Sequence, residues 1–239
     1  MPDIAYQRAL LKLSGDILKG NEPNGIDFKV VARIAAEIRE SHLDGLQLGI
    51  VVGGGNLVRG AEVEKAGVDR ITADNMGMLS TLVNALALQN ALERLSVETR
   101  VMSAIEVHEL VEPFIRRRAL RHIEKGRVVI FAGGTGNPLF TTDTAAALRA
   151  SQIGAEIIFK GTKVDGIFDR DPVLFRDAVK FDEVSYMEII KKGLRVMDLT
   201  AITFCRDFQI PIVVFNILKH GNFRHIVCGE PIGTKVIEV

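Results

Sequence analysis

The chain reads as an α/β fold, a mostly parallel sheet flanked by helices, on three observations. Short apolar runs alternate with amphipathic stretches along its length, the pattern that a parallel sheet with crossover helices imposes. Glycine-bearing turns follow several of those runs. No segment reaches the ~18 consecutive apolar residues of a membrane-spanning helix.

Residues 8–13 form the first expected strand, and a Gly/Asn/Pro loop at residues 20–25 follows. Val30, Ile34 and Ile38 then mark one face of a helix that starts near Asp27, and residues 46–52 form the second strand. Met76, Leu79, Val83 and Leu86, three and four apart, trace a long helix that leads into a strand at 99–102. Residues 127–131, between Gly126 and Gly133, read as a buried central strand. Residues 144–153 are Ala-rich and helical, and 156–160 form the next strand. Ser185 and Glu188 make a capping box that opens a helix over 185–192. A helix over 198–208 and a strand over 212–215 complete the order. The stretch 162–184, rich in Asp, Pro and Gly, reads as a functional loop or hairpin at the rim of the sheet.

The 239 residues are 47% hydrophobic, enough for a large core without staples. Thirty Lys+Arg balance thirty Asp+Glu, which argues against the DNA or RNA backbone as the main partner. Arg116, Arg117, Arg118 and Arg121 alternate with Leu120 and Ile123 and read as a solvated helix face. Cys205 and Cys228 are too far apart for a close metal-ligand pair and read as small buried hydrophobes in a reducing compartment. Met1 to Tyr6 lack a basic stretch followed by an apolar one, so a cytoplasmic location is expected. His108-Glu109-Leu110-Val111-Glu112 carries Glu where a zinc-protease helix needs its second His.

Three turns point to phosphate: Lys12-Leu13-Ser14-Gly15, Gly53-Gly54-Gly55-Asn56, and Gly133-Gly134-Thr135-Gly136-Asn137-Pro138. Without a Cβ the backbone N–H groups approach an anion closely, and in an open α/β sheet such turns face one crevice. Gly-Lys and a true G-x-G-x-x-G are absent, which disfavours Walker A and dinucleotide readings. Around the turns stand Lys12, Arg59, Asp74, Asp143, Lys160, Lys163 and Asp165. Cations that spread over a moving phosphoryl group, with carboxylates that hold Mg²⁺ or fix those cations, are what phosphoryl transfer needs.

Leu11-Lys12-Leu13-Ser14-Gly15, Arg59-Gly60, Asp74-Asn75-Met76-Gly77-Met78, the run from Gly134 through Asp143, Lys160-Gly161-Thr162-Lys163-Val164-Asp165-Gly166, Asp171-Pro172 and Val196-Met197-Asp198-Leu199 follow one another in the order and spacing of a known family. The chain resembles the amino-acid kinase superfamily and, within it, the bacterial uridylate (UMP) kinases. The resemblance implies a three-layer αβα sandwich with a central, mostly parallel sheet, and residues 1–239 as one domain. It implies transfer of the ATP γ-phosphoryl group to UMP, with Mg²⁺ accompanying ATP, in pyrimidine nucleotide synthesis.

By the same resemblance Lys12, Leu13, Ser14, Gly15, Gly55, Arg59, Thr162, Phe168 and Asp171 contact ATP. Gly54, Asp74, Thr135, Gly136, Asn137, Pro138, Leu139, Phe140, Thr141 and Thr142 hold UMP. Lys12, Asp143, Lys160 and Asp198 form the catalytic group. A homohexamer with GTP as activator and UTP as inhibitor is implied as well. In the GTP-responsive type four basic residues line the effector site; Arg100 and Arg127 fit two, whereas Gln89 and Glu93 stand where an Arg and a His would be. GTP activation is therefore expected to be weak. Two competing readings are a kinase of the same fold acting on a carboxylate, and a nucleotide-binding regulator without turnover.

Overall fold

The computed structural model describes residues 3–194 and 196–238; Met1 and Pro2, read above as part of the N-terminal stretch, lie outside the described residues. Among the described residues nine strands form one sheet: β1 (Arg8–Leu13), β2 (Gln47–Val52), β3 (Thr99–Ser103), β4 (Glu112–Pro113), β5 (Val128–Ala132), β6 (Ile157–Thr162), β7 (Glu183–Ser185), β8 (Ile212–Asn216) and β9 (Thr234–Ile237). Their spatial order is β4-β3-β5-β2-β1-β6-β8-β9-β7. Every pairing is parallel except β8 with β9. The helices are α1 (Gly15–Leu18), α2 (Phe28–Leu43), α3 (Gly60–Lys65), α4 (Arg70–Arg94), α5 (Arg116–Glu124), α6 (Thr142–Ile153), α7 (Tyr186–Lys192), α8 (Leu199–Asp207) and α9 (Asn222–Val227).

The apolar runs are buried strands because both faces of the sheet are covered. On one face Leu11, Leu48, Ile50, Ile130 and Phe159 pack with α2, α4 and α9. On the other, Leu10, Val51, Val129, Phe131 and Ile158 pack with α5, α6, α7 and α8. This is the αβα sandwich that the alternating pattern predicts. The helices begin where their caps dictate: Asp27 accepts from the N–H groups of Lys29 and Val30, Asp69 from Thr72, and Ser185 from Glu188.

Several features differ from the sequence expectation. Strands β4, β7 and β9 span only two to four residues, too short for a period-two signal. The stretch 162–184, expected as a loop or hairpin, agrees with that expectation: an antiparallel bridge joins Phe168 with Lys180, so the excursion is a loose hairpin. Helix α4 is oriented differently from its most obvious apolar stripe. Ala85, Leu88 and Leu92 face the sheet, whereas Met76, Leu79 and Val83 are about half exposed. The inward face is partly polar, with Ser80, Thr81 and Asn84 buried against the glycine turns, and this polarity hides it from a hydrophobic pattern. Cys205 is buried as expected, but Cys228 is only partly so. Arg116, Arg117, Arg118 and Arg121 all lie exposed on α5. Among the described residues no helix is long and apolar enough to cross a membrane.

Candidate active site

Parallel register sets the first contact. Lys12 of β1 pairs with Lys160 of β6, so with a side-chain period of two both ammonium groups leave the same face of the sheet. Asp143, in the first turn of α6, fills the space between them: its Oδ1 lies 2.5 Å from Lys12 Nζ and its Oδ2 2.9 Å from Lys160 Nζ. The Lys160 contact is a hydrogen bond, whereas the Lys12 contact is an ion pair. The three side chains are 6%, 12% and 15% exposed for Lys12, Lys160 and Asp143.

Burial alone would raise the Asp143 pKa, but Lys12 and Lys160 outweigh it and hold the carboxyl below its ordinary range. Lys160 is pushed down to about 8, first by burial and then by Lys12, against the pull of Asp143 and Asp198. Lys160 also donates to the Val196 carbonyl.

Asp198 caps α8, accepting from the Ala201 N–H at 2.9 Å, and its carboxylate receives the hydroxyls of Thr141 and Thr144. Thr141 is in turn the cap of α6, accepting from the Asp143 N–H at 3.0 Å. Asp198 therefore orients the helix start that carries Asp143. Among the described residues there is no group of three or more His, Cys, Asp or Glu that could cage a metal ion. Both oxygens of Asp143 are engaged by lysines, so Mg²⁺ fits this site as an ion held mainly by nucleotide phosphates and water, which is how Mg²⁺ is commonly bound.

The glycine turns meet beside this cluster. A Cβ on Gly15 would stand 2.7 Å from the Gly55 N and 2.9 Å from the Gly53 carbonyl oxygen. One on Gly54 would lie 2.6 Å from the Gly77 carbonyl oxygen. Only residues without side chains allow these backbones to touch. Arg59 reaches back to Asp16, Nη2 to Oδ1 at 2.5 Å, and donates from Nε to the Gly55 carbonyl.

A cleft of about 370 Å³ opens between these turns and α4, lined by Gly54, Asp74, Gly134, Asn137, Phe140 and Thr142 among others. Asp74 accepts from the Leu139 N–H at 2.8 Å and from Arg70 Nε at 3.1 Å. Thr135 closes its own turn through Asn137, and Gly136 has a positive φ of +83°. Pro138 links this turn to Leu139.

The remaining expected residues lie on the β6 side. The Thr162 hydroxyl bonds the Val164 and Phe215 carbonyls. Phe168 and Asp171 sit on the hairpin excursion, where Asp171 accepts from the Val173 N–H at 2.8 Å. Arg100 and Arg127 lie apart from this cluster, near the β3 and β5 strand starts. Arg127 Nε donates to Glu98 at 2.8 Å, and Gln89 donates to Glu93 at 3.3 Å. Sequence reasoning missed Asp16, Arg70 and Thr144. The i,i+4 spacing of Arg70 and Asp74 carries a signal for one pair; the other two depend on contacts between distant segments.

The amino acid kinase family model matches residues 7–216. The chain is similar to a UMP kinase from Bacillus anthracis, with 37% identity, a TM-score of 0.94, and 98% of this chain and 96% of that one covered. It is similar to a UMP kinase from Ureaplasma parvum at 38% identity and a TM-score of 0.90, covering 97% and 99%. A uridylate kinase from Archaeoglobus fulgidus matches at 29% identity and a TM-score of 0.73, covering 95% and 99%.

Proposed function

The chain belongs to the amino acid kinase family, and on that premise we propose that it is a UMP kinase, converting ATP and UMP to ADP and UDP. One observation carries this reading: Gly134, Asn137, Phe140, Thr141 and Thr142 line the cleft, and the segment they belong to leads without a break into Asp143, which holds both buried lysines. An acceptor loop and a charge-transfer site are thus one segment.

Lys12, Leu13, Ser14, Gly15, Gly55, Arg59, Thr162, Phe168 and Asp171 are assigned to ATP. Gly54, Asp74 and Thr135 through Thr142 are assigned to UMP, with Asp74 accepting from ribose hydroxyls. A phosphate monoester has a second pKa of about 6, so the attacking oxygen is already anionic at neutral pH and needs no general base. Lys12 and Lys160 neutralise charge that builds on the transferring group, Asp143 spaces the two lysines, and Asp198 orients Asp143. Mg²⁺ on the ATP phosphates would supply further neutralisation.

An assay of ADP release over a panel of nucleoside monophosphates and amino acids tests the assignment. Turnover with UMP is expected; turnover with a carboxylate substrate instead, or UMP binding without UDP, would reject it. We extend the reading to a cytoplasmic homohexamer inhibited by UTP. GTP activation is expected to be weak, because Glu98 neutralises Arg127 and Gln89 is turned to Glu93. Strong activation at low micromolar GTP would overturn that.

The low pKa of Lys160 sets a pH dependence. Below about 8 the ammonium is charged and available to phosphate. As pH rises through about 8 the free enzyme loses that cation, so kcat/KM for ATP is expected to fall with unit slope. Bound polyphosphate favours the charged form and moves the corresponding limb of kcat to higher pH. A kcat/KM profile flat to pH 9.5 would contradict this.

A further inference from the structure

The assignment of Asp74 to the acceptor's ribose raises the question of what aims its carboxylate. Arg70, the first residue of α4, lies one turn before Asp74 and places Nε 3.1 Å from both Oδ1 and Oδ2. Glu64 of α3 faces the same guanidinium, its Oε1 3.2 Å from Nε. Leu139 donates to Oδ2 alone, from a left-handed backbone with φ +72°. A leucine holds that conformation only where its surroundings fix it.

Each carboxylate oxygen offers about two lone-pair directions. Among the described residues Oδ2 receives both Arg70 and Leu139, whereas Oδ1 receives Arg70 only. The carboxylate is therefore prevented from turning about its Cβ–Cγ bond, and its open acceptor direction belongs to Oδ1. Asp74 is largely covered, its side chain 18% exposed, while Arg70 is 57% exposed and anchored by Glu64 from the rim.

We propose that Arg70 is a positioning residue for sugar recognition: it fixes the Asp74 carboxylate so that one oxygen stays open to a ribose hydroxyl of the nucleoside monophosphate. This rests on the assignment of Asp74 to ribose. Arg70 acts through Asp74 and does not itself bind the acceptor phosphate.

A cycle that removes the arginine and the hydroxyls separately tests the proposal. Arg70→Met and Arg70→Lys are compared with the unmutated protein on UMP, dUMP and 2′,3′-dideoxy-UMP, reading KM, or Ki against UMP where turnover is too slow. Arg70→Met is expected to raise KM for UMP about tenfold, the order of a hydrogen bond to a charged group. It should change kcat and the KM for ATP by less than about twofold, because the transfer groups are untouched. The penalty should disappear with 2′,3′-dideoxy-UMP, which has no hydroxyl for Asp74 to receive. Arg70→Lys should recover part of the loss, since an ammonium keeps the charge but not the planar fork.

An equal penalty on UMP and 2′,3′-dideoxy-UMP would mean that Arg70 binds phosphate or only supports the fold, and would overturn the proposal. So would an unchanged KM for UMP. Failure of the unmutated protein to make UDP would instead reject the UMP assignment.

Discussion

Lys12→Ala is expected to lower kcat by about 10² or more while leaving UMP affinity nearly unchanged, as loss of a donor aimed at transition-state charge does. Lys12 is buried at the end of β1, and its ammonium is held 2.5 Å from Asp143. On the proposed assignment it would meet the transferring phosphoryl group already oriented and largely free of water, where charge counts for most. The cleft proposed for the acceptor is lined by other residues, Asp74 and Thr142 among them. Rapid-mix kinetics with UMP titrations separate the two effects. A variant with near-normal kcat would remove Lys12 from the chemistry.

Asp143→Asn is expected to cost both activity and stability. The carboxylate is the counter-charge shared by two buried lysines, and removing one partner of a buried ion pair costs about 3–5 kcal/mol. Its loss leaves Lys12 and Lys160 repelling each other, and burial has already pushed Lys160 down to about 8. The sign of the pH response follows. The unfolded chain binds the Lys160 proton up to the ordinary lysine range, the folded chain only to about 8, so stability contributed at this site rises between those limits. In the variant that rise should begin at lower pH and extend over a wider range, its slope still limited to one proton. In the unmodified protein Asp143, held below its ordinary range, adds stability above the normal carboxylate pKa that is lost as pH falls through its folded value. Urea midpoints across pH 4–10 measure both limbs. A variant as stable as the parent at pH 7, with the same onset of the alkaline rise, would show that the cluster is not coupled.

Much of the fold and of the site chemistry is legible in the sequence, and the exceptions have physical causes. β1, β2, β5, β6 and β8 announce themselves because central parallel strands are apolar on both faces. β4, β7 and β9 do not, since their pairing is decided by what packs beside them. The residue types of the site, Lys12, Asp143, Lys160 and Asp198, follow from phosphate chemistry and from the family's motifs. That Asp143 sits between the lysines, and that Asp198 takes the Thr141 and Thr144 hydroxyls, depends on strand register and on how α6 meets α8. The orientation of α4 was hidden for a related reason: its inward face carries Ser80, Thr81 and Asn84, polar groups matched to the glycine turns.

The alignment of Lys12 with Lys160 on neighbouring strands has a consequence for how such an enzyme can diversify. Their backbones are held at the interstrand spacing of about 4.8 Å by the hydrogen-bond ladder. This part of the machinery behaves as a fixed gauge, insensitive to drift in surrounding loops. On the proposed assignment, choice of acceptor would reside in the segment 134–142 and in the first turns of α4, which lie outside the strands. Substitutions there would then retune the guest without recalibrating the gauge, so that new acceptors would be reached by exchanging one loop while the phosphoryl-transfer geometry is inherited intact.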